Sequence, residues 1–143
     1  MTTRSITPDF SALELPIDAW TQPYWDAVAE HRLVVPKCGS CATPRWPPGP
    51  FCPNCRSQEV EWVEPGQGTI YSFNIMPVPS ADKEAPPKFR IAALVTYEGL
   101  PRVRLVAPLI DAAPEDVKID APVEMDWLPA ASATVLVFRL QSD

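Results

Sequence analysis

All four cysteines of this chain lie within one short segment. They form two Cys-x2-Cys pairs, Cys38 with Cys41 and Cys52 with Cys55, and ten residues separate the pairs. Two such turns can present four sulfurs to one tetrahedral ion, and four thiolates leave zinc no open position for water or substrate. The spacing therefore predicts a closed, structural metal site, and zinc is favoured over iron as its ion.

Other states of these thiols are two disulfides, four free core cysteines or a thiol nucleophile. Cysteines this close in sequence strain a direct bridge, and a nucleophile needs an activating histidine, of which the chain has one, His31. Ala42 and Arg56 follow the second cysteine of each pair, where glycine with positive φ is frequent. We therefore expect these turns either to be strained or to avoid positive φ.

The other candidate residues do not form a catalytic set. His31 follows a predicted helix, and a helix C-terminus favours an exposed histidine, so we interpret it in that way rather than as a base. A nucleophile elbow and a phosphate-binding glycine loop are both missing from the sequence. Arg102 and Arg104 are predicted to share one strand face, where they could bind a phosphate or carboxylate or be ordinary surface charges. The chain is not expected to catalyse a reaction alone.

The composition indicates a folded protein that is acidic and short. Of the 143 residues, 46% are hydrophobic and 21% charged, which suits one domain or a small module joined to a modest one. The net charge of −6 counts against nucleic-acid binding. With 19 prolines, long helices are disfavoured beyond the N-terminal part. We see no signal peptide or membrane span, and expect a cytoplasmic protein in which thiols stay reduced.

The elements that must position the cysteines follow from periodicity. Residues 1–16 are predicted to form an arm, residues 21–35 a short helix and its exit, and Thr21 is the expected helix cap. Alternation places Ile70, Ser72 and Asn74 on one face of a strand. Five strands are predicted, over residues 69–75, 89–97, 102–109, 122–128 and 133–140. Such a series suggests a small OB-type barrel or a small sandwich.

The order of these motifs resembles a known family. Arg32-Leu-Val precedes the first cysteine pair, Pro47-Pro48 lies between the pairs, Trp62 follows the second, and Gly66-Gln-Gly-Thr-Ile-Tyr-Ser-Phe73 begins the strands. This is similar to acyl-CoA-associated proteins that combine a zinc ribbon with an OB-fold, long catalogued as a domain of unknown function. The resemblance covers residues 20–140. It implies a mainly β fold, with an N-terminal arm and helix (1–35), a rubredoxin-like zinc ribbon (36–60) and a five-stranded OB-fold barrel (61–143).

The resemblance also implies a role. Members of the family typically partner thiolase-superfamily enzymes, including thiolases, acyltransferases and thiolase-like aldolases of steroid side-chain degradation, and the partner carries the catalytic residues. We therefore expect a cytoplasmic accessory subunit of a hetero-oligomer, with two of each chain as one arrangement, that acts on a CoA thioester. Zinc would be bound by Cys38, Cys41, Cys52 and Cys55.

Contacts with CoA or a partner are expected at three arginines, Arg45, Arg102 and Arg104. The aromatic helix residues Trp20, Tyr24 and Trp25 are expected either at a docking surface or buried against the chain's own barrel. The alternative functions are a single-stranded nucleic-acid-binding ribbon/OB module and a stand-alone CoA-binding or hydrolytic protein.

Overall fold

The computed structural model describes residues 3–142 of the chain. Over this range it contains one α-helix, seven β-strands and a short 3-10 helix. They are α1 (Gln22–Ala29), β1 (Val35–Cys38), β2 (Val60–Val63), β3 (Gly68–Val78), β4 (Lys88–Tyr97), β5 (Leu100–Pro108), the 3-10 helix (Pro114–Asp116), β6 (Pro122–Pro129) and β7 (Thr134–Leu140). This confirms the predicted mainly β fold with an N-terminal helix.

Helix α1 is held at both ends by identifiable hydrogen bonds. Thr21 occupies the N-cap position, but its side chain caps no helical N–H, so that part of the prediction is wrong. The Asp18 carboxylate instead accepts the backbone N–H groups of Trp20 and Thr21, at 3.0 and 2.9 Å. At the other end, His31 has a φ of 59°, and its N–H and that of the next residue bond back to Val28 and Ala27. This Schellman pattern ends the helix and gives the chain's one histidine a backbone role.

The cysteine segment is held at its base by a two-stranded hairpin. Strands β1 and β2 pair antiparallel, from Val35 opposite Val63 to Cys38 opposite Val60. Cys38 therefore ends one strand of the hairpin, and the chain between Cys38 and Val60 forms the loops that carry the other cysteines.

The remaining strands form one five-stranded sheet in the order β5-β4-β3-β6-β7, with antiparallel neighbours. The sheet closes because Leu109, just after β5, makes a parallel bridge to Phe138 in β7, where the N–H of Ile110 donates to the Phe138 carbonyl at 2.9 Å. A closed five-stranded barrel of this connectivity is an OB-fold. Its interior is filled by apolar side chains that are almost fully buried, including Ile70, Ile91, Val95, Val103, Leu105, Leu109 and Phe138.

A β-bulge changes the predicted faces of β3. Ile70 pairs with Val95 and is fully buried, whereas Ser72 pairs with Leu94, the neighbour of Val95 on the opposite face of β4. The extra residue, Tyr71, is exposed. The expectation that Ile70 shares a face with Ser72 is therefore wrong, because a bulge inserts one residue and reverses the alternation beyond it.

The N-terminal arm lies along the barrel as a strap. Residues 1 and 2 of the predicted arm are outside the described range. The backbone N–H of Ser5 donates to the Ala112 carbonyl, and the backbone N–H of Ile6 donates to the Phe89 carbonyl. The Ser5 hydroxyl donates to the Leu109 carbonyl at 2.7 Å. Ser5 is buried, so these bonds join the arm to the point where the barrel closes. Among residues 3–142, the one helix is far too short to cross a bilayer.

Candidate metal centre

Two turns of the same shape carry the four cysteines. In the first, the N–H of Cys38 donates to Thr43 and the N–H of Ala42 donates to the Cys38 carbonyl. In the second, Cys52 and Arg56 repeat this pattern, with Ser57 in place of Thr43. Ala42 and Arg56 have φ values of 64° and 65°. Both turns therefore use the left-handed conformation with non-glycine residues, the strained of the two predicted outcomes.

The turns bring the four sulfurs into one cluster. All four Sγ atoms lie within 4.8 Å of one another, with 3.5 Å between Cys38 and Cys55 and 3.6 Å between Cys41 and Cys52. A zinc ion with Zn–S bonds of about 2.3 Å in a tetrahedron requires sulfur separations of about 3.8 Å. The cysteines are free thiols, and Cys38 and Cys52 are buried. The predicted four-cysteine metal-binding arrangement is confirmed, and its donor set fits a tetrahedral ion.

Hydrogen bonds and neighbouring sulfurs shift the pKa values of the cysteines in opposite directions. The hydroxyl and the backbone N–H of Thr43, followed by the Asn54 amide, lower the pKa of Cys41 to about 5. At Cys55 the N–H of Ser57 favours the thiolate, but the neighbouring sulfurs of Cys38 and Cys41 outweigh it and raise the pKa of Cys55 to about 12. Several thiolates this close repel one another, so a cation is needed for all four to ionise together.

Arg45 lies inside the ribbon. It is 4% exposed, and its guanidinium donates to the carbonyls of Gly49 (3.1 Å), Ser57 (3.2 Å) and Glu59 (3.3 Å). The carbonyls of Ser57 and Glu59 lie beside the second turn and at the start of β2, so Arg45 ties the loop between the cysteine pairs to both. Its predicted contact with CoA or a partner stays a prediction, and its burial favours a structural role.

The predicted aromatic interface residues divide between two sides of α1. Trp20 is 47% exposed and lines a cavity of about 160 Å³ together with Trp62. Tyr24 and Trp25 line a second cavity, of about 200 Å³, together with Trp46. The Tyr24 ring lies 5.5 Å from that of Trp46, and burial raises the pKa of Tyr24 to about 12. Tyr24 therefore joins the helix to the ribbon, whereas Trp20 stays partly exposed, and its predicted place at a docking surface stays a prediction.

Arg102 and Arg104 both reach solvent, although their strand is irregular. Arg102 has a φ of 71° at a register shift between β4 and β5, while Val103 and Leu105 point into the core. The guanidinium carbon of Arg104 lies 4.0 Å from the centre of the Tyr71 ring, a cation–π contact. Sequence reasoning missed Tyr71, because the bulge that turns its ring outward has no compositional signal.

His31 is exposed at the end of the helix, as interpreted from the sequence. Its ring stacks on Trp127 of β6, with centroids 5.5 Å apart and planes inclined by 10°. The contact joins the helix end to the barrel, so the side chain has a packing role beside the backbone role described above.

Two family models match consecutive parts of the chain. One, described as the rubredoxin-like zinc ribbon domain of ChsH2, matches residues 25–61, and the other, the C-terminal OB-fold domain of ChsH2, matches residues 62–128. Among solved structures, an Ltp2-ChsH2(DUF35) aldolase has 35% sequence identity and a TM-score of 0.73, over 89% of this chain and 98% of that one. This chain belongs to the ChsH2/DUF35 family. The resemblance to the zinc-ribbon/OB-fold family that the sequence motifs indicated is thereby confirmed.

A second solved structure agrees in fold, and two further proteins are similar in sequence. A DUF35 protein of unknown function from Sulfolobus solfataricus has a TM-score of 0.60 at 16% identity, over 86% of each chain. A DUF35 domain-containing scaffold protein of Methanocaldococcus jannaschii is 31% identical over 70% of this chain and 71% of its own length. A probable enoyl-CoA hydratase alpha subunit of Thermomonospora curvata is 37% identical over 81% of this chain, which spans only 36% of that protein.

Proposed function

We propose that this chain is a non-catalytic accessory subunit of a thiolase-superfamily complex that acts on a CoA thioester in carbon–carbon bond cleavage or formation. The observation that carries the proposal is its likeness to the Ltp2-ChsH2(DUF35) aldolase, which extends over 98% of that chain. The scaffold name of the Methanocaldococcus jannaschii relative points in the same direction. In this proposal the partner is a thiolase, an acyltransferase or a thiolase-like aldolase, and it supplies the catalytic residues.

The chain's own chemistry supports a non-catalytic role. Its four cysteines converge on one cluster, where an ion would occupy every sulfur, and its single histidine stacks on Trp127 at a helix end. A closed tetrahedral site leaves no position for a substrate or an activated water. The ribbon would then hold helix α1 against the barrel and shape a surface for the partner.

We propose zinc as the ion at the four cysteines. Bound zinc would supply structural cross-linking between the two turns, and a rubredoxin-like iron site is the alternative. Metal analysis of the purified chain should give one zinc per chain, without the visible absorption of an iron–thiolate site. Substitution of Cys38 and Cys52 by serine should abolish metal retention. Stoichiometric iron after expression with both metals would contradict the choice of zinc.

The finer features are proposed on the same basis. The chain would form a cytoplasmic hetero-oligomer, with two of each chain as one arrangement, and would take part in lipid or steroid degradation. Its proposed domains are residues 1–35, 36–60 and 61–143. The family models meet between residues 61 and 62, which supports a boundary between ribbon and barrel near β2.

Co-expression tests the proposed function. The tagged full chain would be produced with each thiolase-superfamily protein encoded beside it in the source genome, and purified by size-exclusion chromatography. We expect one such protein to co-elute with the chain and to lose carbon–carbon bond cleavage or formation when the chain is omitted. The isolated chain should show no thioester turnover. Failure of every such protein to co-elute would refute the proposed partnership, and thioester turnover by the chain alone would refute the non-catalytic role.

Binding of single-stranded nucleic acid is the second candidate. It requires a basic face that carries aromatic rings, and Arg104 over Tyr71 on the barrel is the observation in its favour. The net charge of −6 opposes it. A gel-shift titration with oligonucleotides at increasing salt would distinguish the two candidates, because phosphate contacts weaken steeply with salt.

A further inference from the structure

One outer surface of the barrel has an unexpectedly apolar centre. Val106 in β5 pairs with Leu94 in β4, which pairs with Ser72 in β3, and these side chains point away from the core. Val106 is 71% exposed. With Asn74 and Ala92, these residues line a shallow cavity of about 240 Å³. We call the outward surface of β3, β4 and β5 around this cavity the β3–β5 face.

The apolar residues of the β3–β5 face are not needed for the core. Ala93, Val95 and Leu105, which alternate with them along the strands, already fill the inner side of the same strands. A half-solvated antiparallel sheet ordinarily places polar residues outside. Further along the same side of β3, beyond Ser72 and Asn74, Met76 is 41% accessible. Contiguous apolar surface of this kind marks an interaction site.

The charges on these three strands have one sign. Within an acidic chain, β3, β4 and β5 contain four cations, Lys88, Arg90, Arg102 and Arg104, and no carboxylate. Among residues 3–142, the salt bridges use other arginines and lysines, so none of the four is paired. Arg90 lies opposite Met76 at one end of the face and Arg104 opposite Thr96 at the other. The face therefore has an aliphatic centre between cationic ends.

We propose that the β3–β5 face is the docking surface for the catalytic subunit, and that this subunit presents an apolar patch bordered by carboxylates. The inference rests on the proposed function and specifies where that partner binds. A charged rim around an apolar centre is the general anatomy of a protein interface, and the unpaired arginines define the sign of the partner's rim. A folded protein is favoured over nucleic acid because the centre of the face is aliphatic, with Ala92, Leu94 and Val106, and because the chain is acidic overall.

Two substitutions on the face and two matched controls test this assignment. Val106→Asp places a charge at the exposed centre, and Arg104→Glu reverses a charge at the end. Ile119→Asp and Lys118→Glu make the same changes at exposed residues between the 3-10 helix and β6, outside the face. Each variant would be mixed with the co-purifying thiolase-superfamily protein, and its Kd measured by calorimetry at two salt concentrations. Circular dichroism would verify that each variant is folded.

The expected results separate this inference from the proposed function. Val106→Asp should weaken binding at least tenfold, and Arg104→Glu should weaken it and reduce its salt dependence, while both controls bind as the unchanged chain does. Equal affinity of the unchanged chain and both face variants would overturn the docking surface and leave the proposed function intact. Failure of the unchanged chain to bind would refute both. Loss of oligonucleotide binding in Arg104→Glu, with partner binding unaffected, would assign the face to nucleic acid.

Discussion

Replacing Ala42 by glycine should stabilise the ribbon. Ala42 has a φ of 64° in the first cysteine turn, and its methyl group is exposed, so little packing is lost on its removal. The left-handed conformation costs a residue with a β-carbon roughly 1–2 kcal/mol. Glycine avoids this cost but loses about 0.5–1 kcal/mol more in chain entropy on folding. The net gain in the free energy of unfolding is roughly 0.5–1 kcal/mol.

The matched control is the same substitution at Ala29, the last residue of α1. Ala29 is also exposed, but it is helical, so glycine there should lower the free energy of unfolding by about 0.5–1 kcal/mol. Urea unfolding of the metal-loaded protein would measure both changes. Because the ordered turn also positions Cys38 and Cys41, chelator competition should show roughly two- to fivefold tighter metal retention for Ala42→Gly, if the ribbon orders on binding its ion. A loss of stability in Ala42→Gly comparable to that in Ala29→Gly would refute the argument from backbone strain.

Three further predictions concern the barrel. Tyr97→Phe removes a buried hydroxyl that has no hydrogen-bond partner within the described residues, so the free energy of unfolding should stay constant or rise by about 1 kcal/mol. A fall of more than about 1 kcal/mol in the free energy of unfolding would reveal an unrecognised partner. Ser5→Ala should lower the free energy of unfolding by about 1–3 kcal/mol in the same urea assay, because the Ala112 N–H loses its acceptor at 3.0 Å. An unchanged free energy of unfolding would contradict the stabilising role of the N-terminal strap. The Arg139 guanidinium, followed by the backbone N–H of Trp127, holds the pKa of Asp126 below its usual range. The ionised Asp126 carboxylate therefore stabilises the folded state fully above the ordinary carboxyl pKa of about 4, and this contribution is lost as the pH falls through the lowered pKa of Asp126. NMR titration of Arg139→Gln should therefore give a higher pKa for Asp126, and an unchanged pKa would contradict the pairing.

Local patterns were sufficient to predict most of the fold. Apolar alternation and turn residues located the five barrel strands to within a few residues, because each strand has one buried face. The β1–β2 hairpin was missed, since Val35 and Val63 pair across the whole cysteine segment and neither strand has a long periodic pattern. The bulge at Tyr71 and the register shift between Leu100 and Arg104 were missed as well, because extra unpaired residues are not marked by the composition of a strand.

The candidate sites differ in how far sequence could define them. Four cysteines in paired turns identify a metal site by spacing alone, because the chemistry requires little else. The burial of Arg45 depends on carbonyls of residues up to fourteen positions away, and only the folded loops bring these together. The cationic β3–β5 face likewise needs the strand register, since its four charges come from two separate strands.

The parallel bridge from Leu109 to Phe138 means that the barrel can close only after the ribbon has been synthesised on the ribosome. The ribbon is contiguous, from Val35 to Val63, so its four ligands have emerged and can bind an ion while the barrel strands are still being translated. The barrel cannot close until β7 has left the exit tunnel. Until then the nascent sheet has an open edge at β5, the kind of edge that pairs with other chains. A premature stop before Thr134 would therefore release a metal-loaded ribbon attached to an aggregation-prone sheet.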